Sequence, residues 1–168
     1  MRSDLESNAM PSGKESQILV REVMTSPVVT AFENSSIKDI AKKMKSYDVD
    51  TVVIVNKENE PVGLVTEGDI VRRLLSKKHN LWFTKAKHVM SKPVLTTNSE
   101  TAIDEIIETM SRKKIKRICV VDDTNKLMGI VTQTDILENT SYLMGLLREM
   151  LEAGYGDSAL NATGLEKI

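Results

Sequence analysis

Apolar residues recur along this chain in two rhythms. Ile37, Ile40, Ala41 and Met44 fall at i, i+3, i+4 and i+7, the spacing of one helix face. Ser35 or Ser36, just ahead of them, can cap that helix. Before it, Val28 to Thr30 reads as a short extended segment. After it comes a β-branched run, Thr51 to Val55, then a polar turn, Asn56 to Pro61, then "VGLVT", Val62 to Thr66. Two short strands around a polar turn predict a hairpin. A further helix opens near Thr66 and carries Ile70, Val71, Leu74 and Leu75. The predicted order is strand, helix, strand, strand, helix.

The whole pattern is then written again, 66 residues later. "VMTSPVVT" (Val23 to Thr30) returns as "VMSKPVLT" (Val89 to Thr96), and "GLVTEGDI" (Gly63 to Ile70) as "GIVTQTDI" (Gly129 to Ile136). Ile103, Ile106, Ile107 and Met110 repeat the helix face, with Thr101 as its expected cap; Val55 matches Val121 and Asn59 matches Asn125. The copies share about 15 identities over roughly 50 positions without a gap. One such unit, about 60 residues, is marginal alone, whereas two can bury their sheet faces against each other. The predicted fold is therefore α/β: two pseudo-symmetric β-α-β-β-α repeats packed through their sheets. The expected divisions are a disordered, tag-derived start (1–17), a first repeat (18–76), a linker (77–87), a second repeat (88–140), and a C-terminal helix and tail (141–168). Ser7-Asn8-Ala9 before Met10 resembles a cloning scar. Trp82 and Phe83 are expected to pin the linker to the core or to a partner chain. "SYLMGLLREMLEA", Ser141 to Ala153, reads as an amphipathic helix that packs on the module or on a second subunit, with Gly154 and Gly156 ending it.

Composition narrows the function classes. Of 168 residues, 40% are hydrophobic and 28% charged, with a net charge of −1, so no global basic field draws the chain to nucleic acid. The basic cluster Arg112-Lys113-Lys114 with Lys116-Arg117 reads as a solvated helix end with one or two phosphate contacts. Arg72-Arg73 and Lys77-Lys78 read as similar surface, and no stacking aromatics accompany them. No apolar run reaches the roughly 20 residues of a membrane helix and no signal peptide pattern opens the chain, so the expected setting is the cytoplasm, away from membranes. Cys119 stands alone in an apolar strand as an inert core thiol. His79 and His88 lack metal-ligand spacing, and no nucleophile–base pair suggests catalysis.

The doubled octet carries the chemistry. In the plainer reading, Thr66 and Thr132 cap helices, and Asp69 and Asp135 three positions on suit the positive helix end. In the sharper reading, the helix N-terminus and the Thr hydroxyl receive a phosphate, the Asp carboxylate accepts a ribose diol, and the apolar strands wall a purine. Phosphate, diol and base together describe an adenosine nucleotide, and two copies predict two sites.

Taken together, the VM-x-x-P segment, the helix ending in Met, the apolar strand and Gly-x-x-Thr-x-x-Asp resemble a pair of cystathionine β-synthase (CBS) domains, the Bateman module. The resemblance covers about Leu19 to Thr140. Where that family commonly has Pro, this chain has Val53 and Cys119. The resemblance implies a non-enzymatic regulatory module that requires no cofactor, forms a homodimer and signals to a regulated protein not named by the sequence. Its ligands are AMP, ADP, ATP, NAD or S-adenosylmethionine, bound between the repeats. One site is expected from Thr132, Asp135, Arg117, Ile130, Pro27, Val49 and Asp50, and the other from Thr66, Asp69, Leu64, Pro93, Ile115 and Lys116. Lys116-Arg117 stands where the first repeat has Asp50-Thr51. On that ground the Asp135 site is expected to prefer AMP, and the Asp69 site to be weaker, empty or filled by a less charged adenosyl compound. A ligand-free interaction scaffold and a nucleic-acid binder are the alternatives.

Overall fold

The computed structural model describes residues 18–75, 80 and 83–139. The expected C-terminal helix, Trp82, His79, Lys77-Lys78 and the first 17 residues lie outside these. The first repeat runs α1 (Val20–Val23), β1 (Thr30–Phe32), α2 (Ile37–Tyr47), β2 (Thr51–Val55), β3 (Pro61–Thr66) and α3 (Glu67–Asp69), which continues as a π-helical segment, Ile70–Leu75. A 3-10 turn, Ala86–His88, leads into β4 (Thr96–Asn98), α4 (Ile103–Lys113), β5 (Arg117–Val121) and β6 (Leu127–Thr132). A last helix, α5, occupies residues 133–139. The sheets are twins of order β1-β2-β3 and β4-β5-β6. In each the outer pair is parallel and the hairpin antiparallel, with an irregularity at the same place, Ile54/Val55 and Val120/Val121.

Helix periodicity places the cores. Ile37, Ile40 and Met44 of α2 pack with Val52, Ile54 and Val65, and Ile103, Ile106 and Met110 of α4 pack with Ile118, Val120 and Val131. A third cluster lies between the sheets: Val53, Val55, Cys119 and Ile130, with Val28, Leu64, Val94 and Leu127 against them. Val53 and Cys119 thus lie fully buried in the layer between the two sheets. Each side chain buried there removes apolar surface worth about 1.5–3 kcal/mol. Burial also pushes the Cys119 thiol up to about 12, which suppresses its reactive thiolate.

The packing units do not follow the sequence repeats. Val20 and Val23 close the core of the second repeat, whereas Ala86, Val89 and Met90 close the core of the first. Paired backbone bonds fix the exchange: Thr25 N–H to Ile130 O at 2.9 Å with the reverse bond at 3.1 Å, and Ser91 N–H to Leu64 O at 2.8 Å with its reverse at 3.0 Å. This crossing explains the doubled glycine. A Cβ on Gly63 would stand 2.3 Å from the Met90 sulfur, and one on Gly129 2.7 Å from that of Met24.

Several local expectations are corrected. The first ladder begins later than Val28. Val28 packs between the sheets, and pairing starts where the Val29 carbonyl accepts Val53 N–H at 3.0 Å. Ser36 caps α2, its Oγ accepting Asp39 N–H at 3.1 Å. The corresponding cap of α4 is Ala102, not Thr101, because Thr101 Oγ1 is engaged by the Thr97 hydroxyl at 2.9 Å. Val71 is 57% exposed and its counterpart Leu137 65%. Adjacent helix positions diverge by about 100°, so neither can join the inward-facing Ile70 or Ile136. Phe83 is 80% exposed and does not pin the linker to the core.

Candidate functional site

The Thr-x-x-Asp segment folds as a capping box in both repeats. Asp69 N–H donates to Thr66 Oγ1 at 3.1 Å, and Thr66 N–H donates back to Asp69 Oδ2 at 3.0 Å. Thr132 N–H reaches Asp135 Oδ2 at 2.7 Å, and Asp135 N–H reaches Thr132 Oγ1 at 3.3 Å. Each carboxylate also accepts a hydroxyl from the exchanged segment beside it: Thr25 to Asp135 Oδ1 at 3.0 Å, Ser91 to Asp69 Oδ1 at 3.1 Å. The plain reading of the motif is therefore realised, and it ties the two halves of the molecule together as well. Sequence reasoning missed Thr25 and Ser91. They hold matching places in the repeated VM-x-x-P segments, so paired hydroxyls at one offset were the available signal.

Each box opens into a cavity. One, of about 590 Å³, is lined by Pro27, Val49, Asp50, Arg117, Ile130, Thr132 and Asp135. The other, of about 650 Å³, is lined by Leu64, Thr66, Asp69, Pro93, Ile115 and Lys116. Both fall within the usual size range of small-molecule sites. The structure thus gathers every expected site residue into two pseudo-equivalent clefts. In each, the Thr-Asp pair of one repeat faces the proline segment and helix-end turn of the other.

The clefts differ in their polar equipment. Asp69 is 3% exposed, and its carboxylate accepts three hydrogen bonds and pairs with an arginine. Besides the capping bonds, the Thr66 hydroxyl donates to Oδ2 at 2.8 Å, and Arg73 Nε lies 3.4 Å from Oδ1. Arg73 is anchored in turn, donating to the carbonyls of Val89 and Met90 at 2.9 and 2.8 Å. Its counterpart Asn139 donates instead to the backbone carbonyl of Asp135 at 2.8 Å. Asp135 is half-buried and accepts two bonds, so about two of a carboxylate's four lone-pair positions stay open. Arg73 was missed because a basic pair after a helix start reads as solvated surface.

Lys116 and Arg117 line both cavities and so do not distinguish the Asp135 cleft. Arg117 pairs with Asp50 across the repeats, and its Nε is buried without a hydrogen-bond partner among the described residues. Asp50 is further tied to the Thr51 hydroxyl at 2.8 Å. Among the described residues, no three metal-ligating side chains gather, and no helix is long and apolar enough to cross a membrane.

The CBS-domain family model matches residues 20–76 and again 86–142. This chain belongs to the CBS-domain family. It is 36% identical over 135 residues to the uncharacterized protein MK0525 of Methanopyrus kandleri, covering 80% of this chain and 69% of that one. It is 30% identical to the L-aspartate semialdehyde sulfurtransferase of Methanocaldococcus jannaschii over 70% of this chain, but spans only 22% of that protein. Among solved structures, the CBS domain pair of protein MJ0100, in complex with 5′-methylthioadenosine and S-adenosyl-L-methionine, superimposes with a TM-score of 0.66 at 30% identity. That likeness covers 77% of this chain and 97% of the other. A hexameric CBS-CP12 protein from bloom-forming cyanobacteria gives 0.68 at 25% identity over 85% of each chain. The two three-stranded sheets and their flanking helices are the architecture of a CBS pair.

Proposed function

We propose that this CBS pair is a regulatory module that binds an adenosine compound between its repeats and passes its occupancy to a partner protein. The observation that carries the reading is the Asp135 cleft. A carboxylate with open acceptor positions lines it, and Pro27, Val49 and Ile130 supply an apolar wall. Phosphorylated adenosines such as AMP, ADP and ATP fit the ligand class, as do S-adenosylmethionine and related adenosyl compounds. The MJ0100 complex supports that class. A ligand that touches both repeats ties them together, so its occupancy can bias their relative setting. The bias can be no larger than the ligand's differential affinity for the two settings, and a micromolar ligand supplies about −8 kcal/mol in all. Exposed Val71, Ile107 and Leu137 on the outer helix faces support assembly into a homodimer. The basic turn 113–117 borders a cleft of about 650 Å³, a size that suits a small phosphate compound better than a nucleic acid.

Calorimetric titration of adenosine, AMP, ATP and S-adenosylmethionine tests the proposal. At least one is expected to bind, with 2′-deoxyadenosine weaker than adenosine and Asp135→Ala binding adenosine at least tenfold more weakly than the parent does. Absence of binding by all four would favour a ligand-free scaffold. A response to duplex DNA alone, lost at higher salt, would favour nucleic acid.

A further inference from the structure

We propose that the two clefts divide their ligands by charge. The Asp69 cleft takes the phosphate-bearing adenosine compound, and the Asp135 cleft takes an adenosyl compound without phosphate. This rests on the adenosine reading above and reverses the assignment that the Lys116-Arg117 pair suggests from sequence. The Asp69 cleft is lined by five cations, Arg72, Lys113, Lys114, Lys116 and Arg117, against the single carboxylate of Asp69. That carboxylate is already offset by Arg73. The Asp135 cleft holds two cations, Lys116 and Arg117, against three carboxylates, Asp48, Asp50 and Asp135. Arg117, common to both clefts, is committed to Asp50, which leaves four other cations lining the Asp69 cleft and one lining the Asp135 cleft.

The contrast arises position by position. Where the first repeat ends its helix with Tyr47-Asp48-Val49-Asp50-Thr51, the second has Lys113-Lys114-Ile115-Lys116-Arg117. The backbone is the same, since Asp48 and Lys114 both cap in the left-handed region, at φ 51° and 53°. Each turn faces the other repeat's Thr-Asp pair, so the acidic turn lines the Asp135 cleft and the basic turn the Asp69 cleft. Arg72 adds to the basic side and its counterpart is Glu138. The guanidinium lies over Gly68, where a Cβ would come within 2.8 Å of Nη2, so the missing side chain leaves it room. Lys113, Lys114 and Lys116 are exposed at the cleft, without an ion-pair partner among the described residues. Carboxylate saturation points the same way. Asp135 accepts two hydrogen bonds and keeps acceptor positions for a ribose diol, whereas Asp69 is buried, accepts three and also pairs with Arg73, so the cations are the better equipped of the Asp69 cleft's groups to hold a ligand.

The test is calorimetry with ATP, adenosine and tripolyphosphate on the full chain. Tripolyphosphate and ATP are expected to compete with each other, and adenosine is expected to bind ATP-saturated protein. Lys113→Ala with Lys114→Ala should weaken ATP at least tenfold and leave adenosine within twofold. Lys42→Ala with Lys87→Ala, which removes two exposed lysines outside both clefts, should change ATP less than threefold. Asp135→Ala should weaken adenosine and spare ATP. If Asp135→Ala removes ATP binding while the Lys113/Lys114 variant retains it, the division by charge is wrong and the adenosine reading stands. The division is equally wrong if the Lys42/Lys87 variant costs as much ATP affinity as the Lys113/Lys114 variant. If neither adenosine nor ATP binds, the adenosine reading fails and takes the division with it.

Discussion

The two repeats share a backbone and differ in what they hang on it. Their sheets, helix-end turns and capping boxes superpose in register, residue for residue at one offset. Yet one Thr-Asp pair is sealed by a guanidinium and surrounded by cations, and the other is open and surrounded by carboxylates. Duplication supplied two equivalent clefts; side-chain exchange at a few turn positions makes them unequal. Fold and cleft charge are thus written in different residues, the first in buried aliphatic positions and the second at the turns.

The contrast is sharpest at the two carboxylates. Asp69→Ala removes the shared acceptor of Thr66, Ser91 and Arg73 in a buried place, with an expected loss of about 2–3 kcal/mol. Asp135→Ala, half-exposed and without an arginine, should lose about 1 kcal/mol. Urea unfolding of the two variants measures the gap; equal losses would break the distinction between a sealed and an open box. The helix starts offer a smaller comparison. Ser36→Ala removes a real cap from α2 and should lose about 1 kcal/mol, while Ala102→Ser should restore up to a similar amount to α4. Thermal melts of the pair would show shifts of opposite sign.

The smallest effect lies in the hairpin turns. In the first, the Asn56 amide oxygen accepts Glu58 and Glu60 N–H at 3.0 and 2.8 Å. In the second, the Asp122 carboxylate accepts Lys126 and Thr124 N–H at 2.9 and 2.8 Å and the Thr124 hydroxyl at 2.7 Å. The bonds from Lys126 and the Thr124 hydroxyl hold the Asp122 pKa below its ordinary value of 3.8. A depressed carboxylate stabilises fully above its unfolded pKa and loses that contribution as pH falls through the lower folded one. Denaturation midpoints taken below about pH 4 should therefore fall more for the parent than for Asp122→Asn. Parallel curves would mean that the turn carbonyls do the same work without the charge.

The sequence made the periodic features plain. Ile37, Ile40 and Met44 announced a helix face because burial repeats with helix pitch, and the doubled octet located both clefts. It hid whatever depends on which surfaces meet. Val20 and Met90 are visibly apolar, but periodicity states that a residue is buried and not which core receives it. The closure of Asp69 by Arg73 needed the segment Ile70–Leu75 and the carbonyls of Val89 and Met90 to be brought together in space. The sharing of Arg117 was hidden for the same reason. A residue at the centre of a two-fold arrangement borders both halves, and linear numbering assigns it to one.

The crossed ends have a mechanical consequence. Each half of the molecule has its last wall brought by the strand of chain that introduces the other, as two interlocked hooks hold only while both are closed. Loosening Val20 and Val23 strips the second half, and loosening Val89 and Met90 strips the first. Melting of either half should expose part of its twin's core. The two repeats are therefore expected to unfold as one cooperative body, and a ligand held in either cleft should steady both.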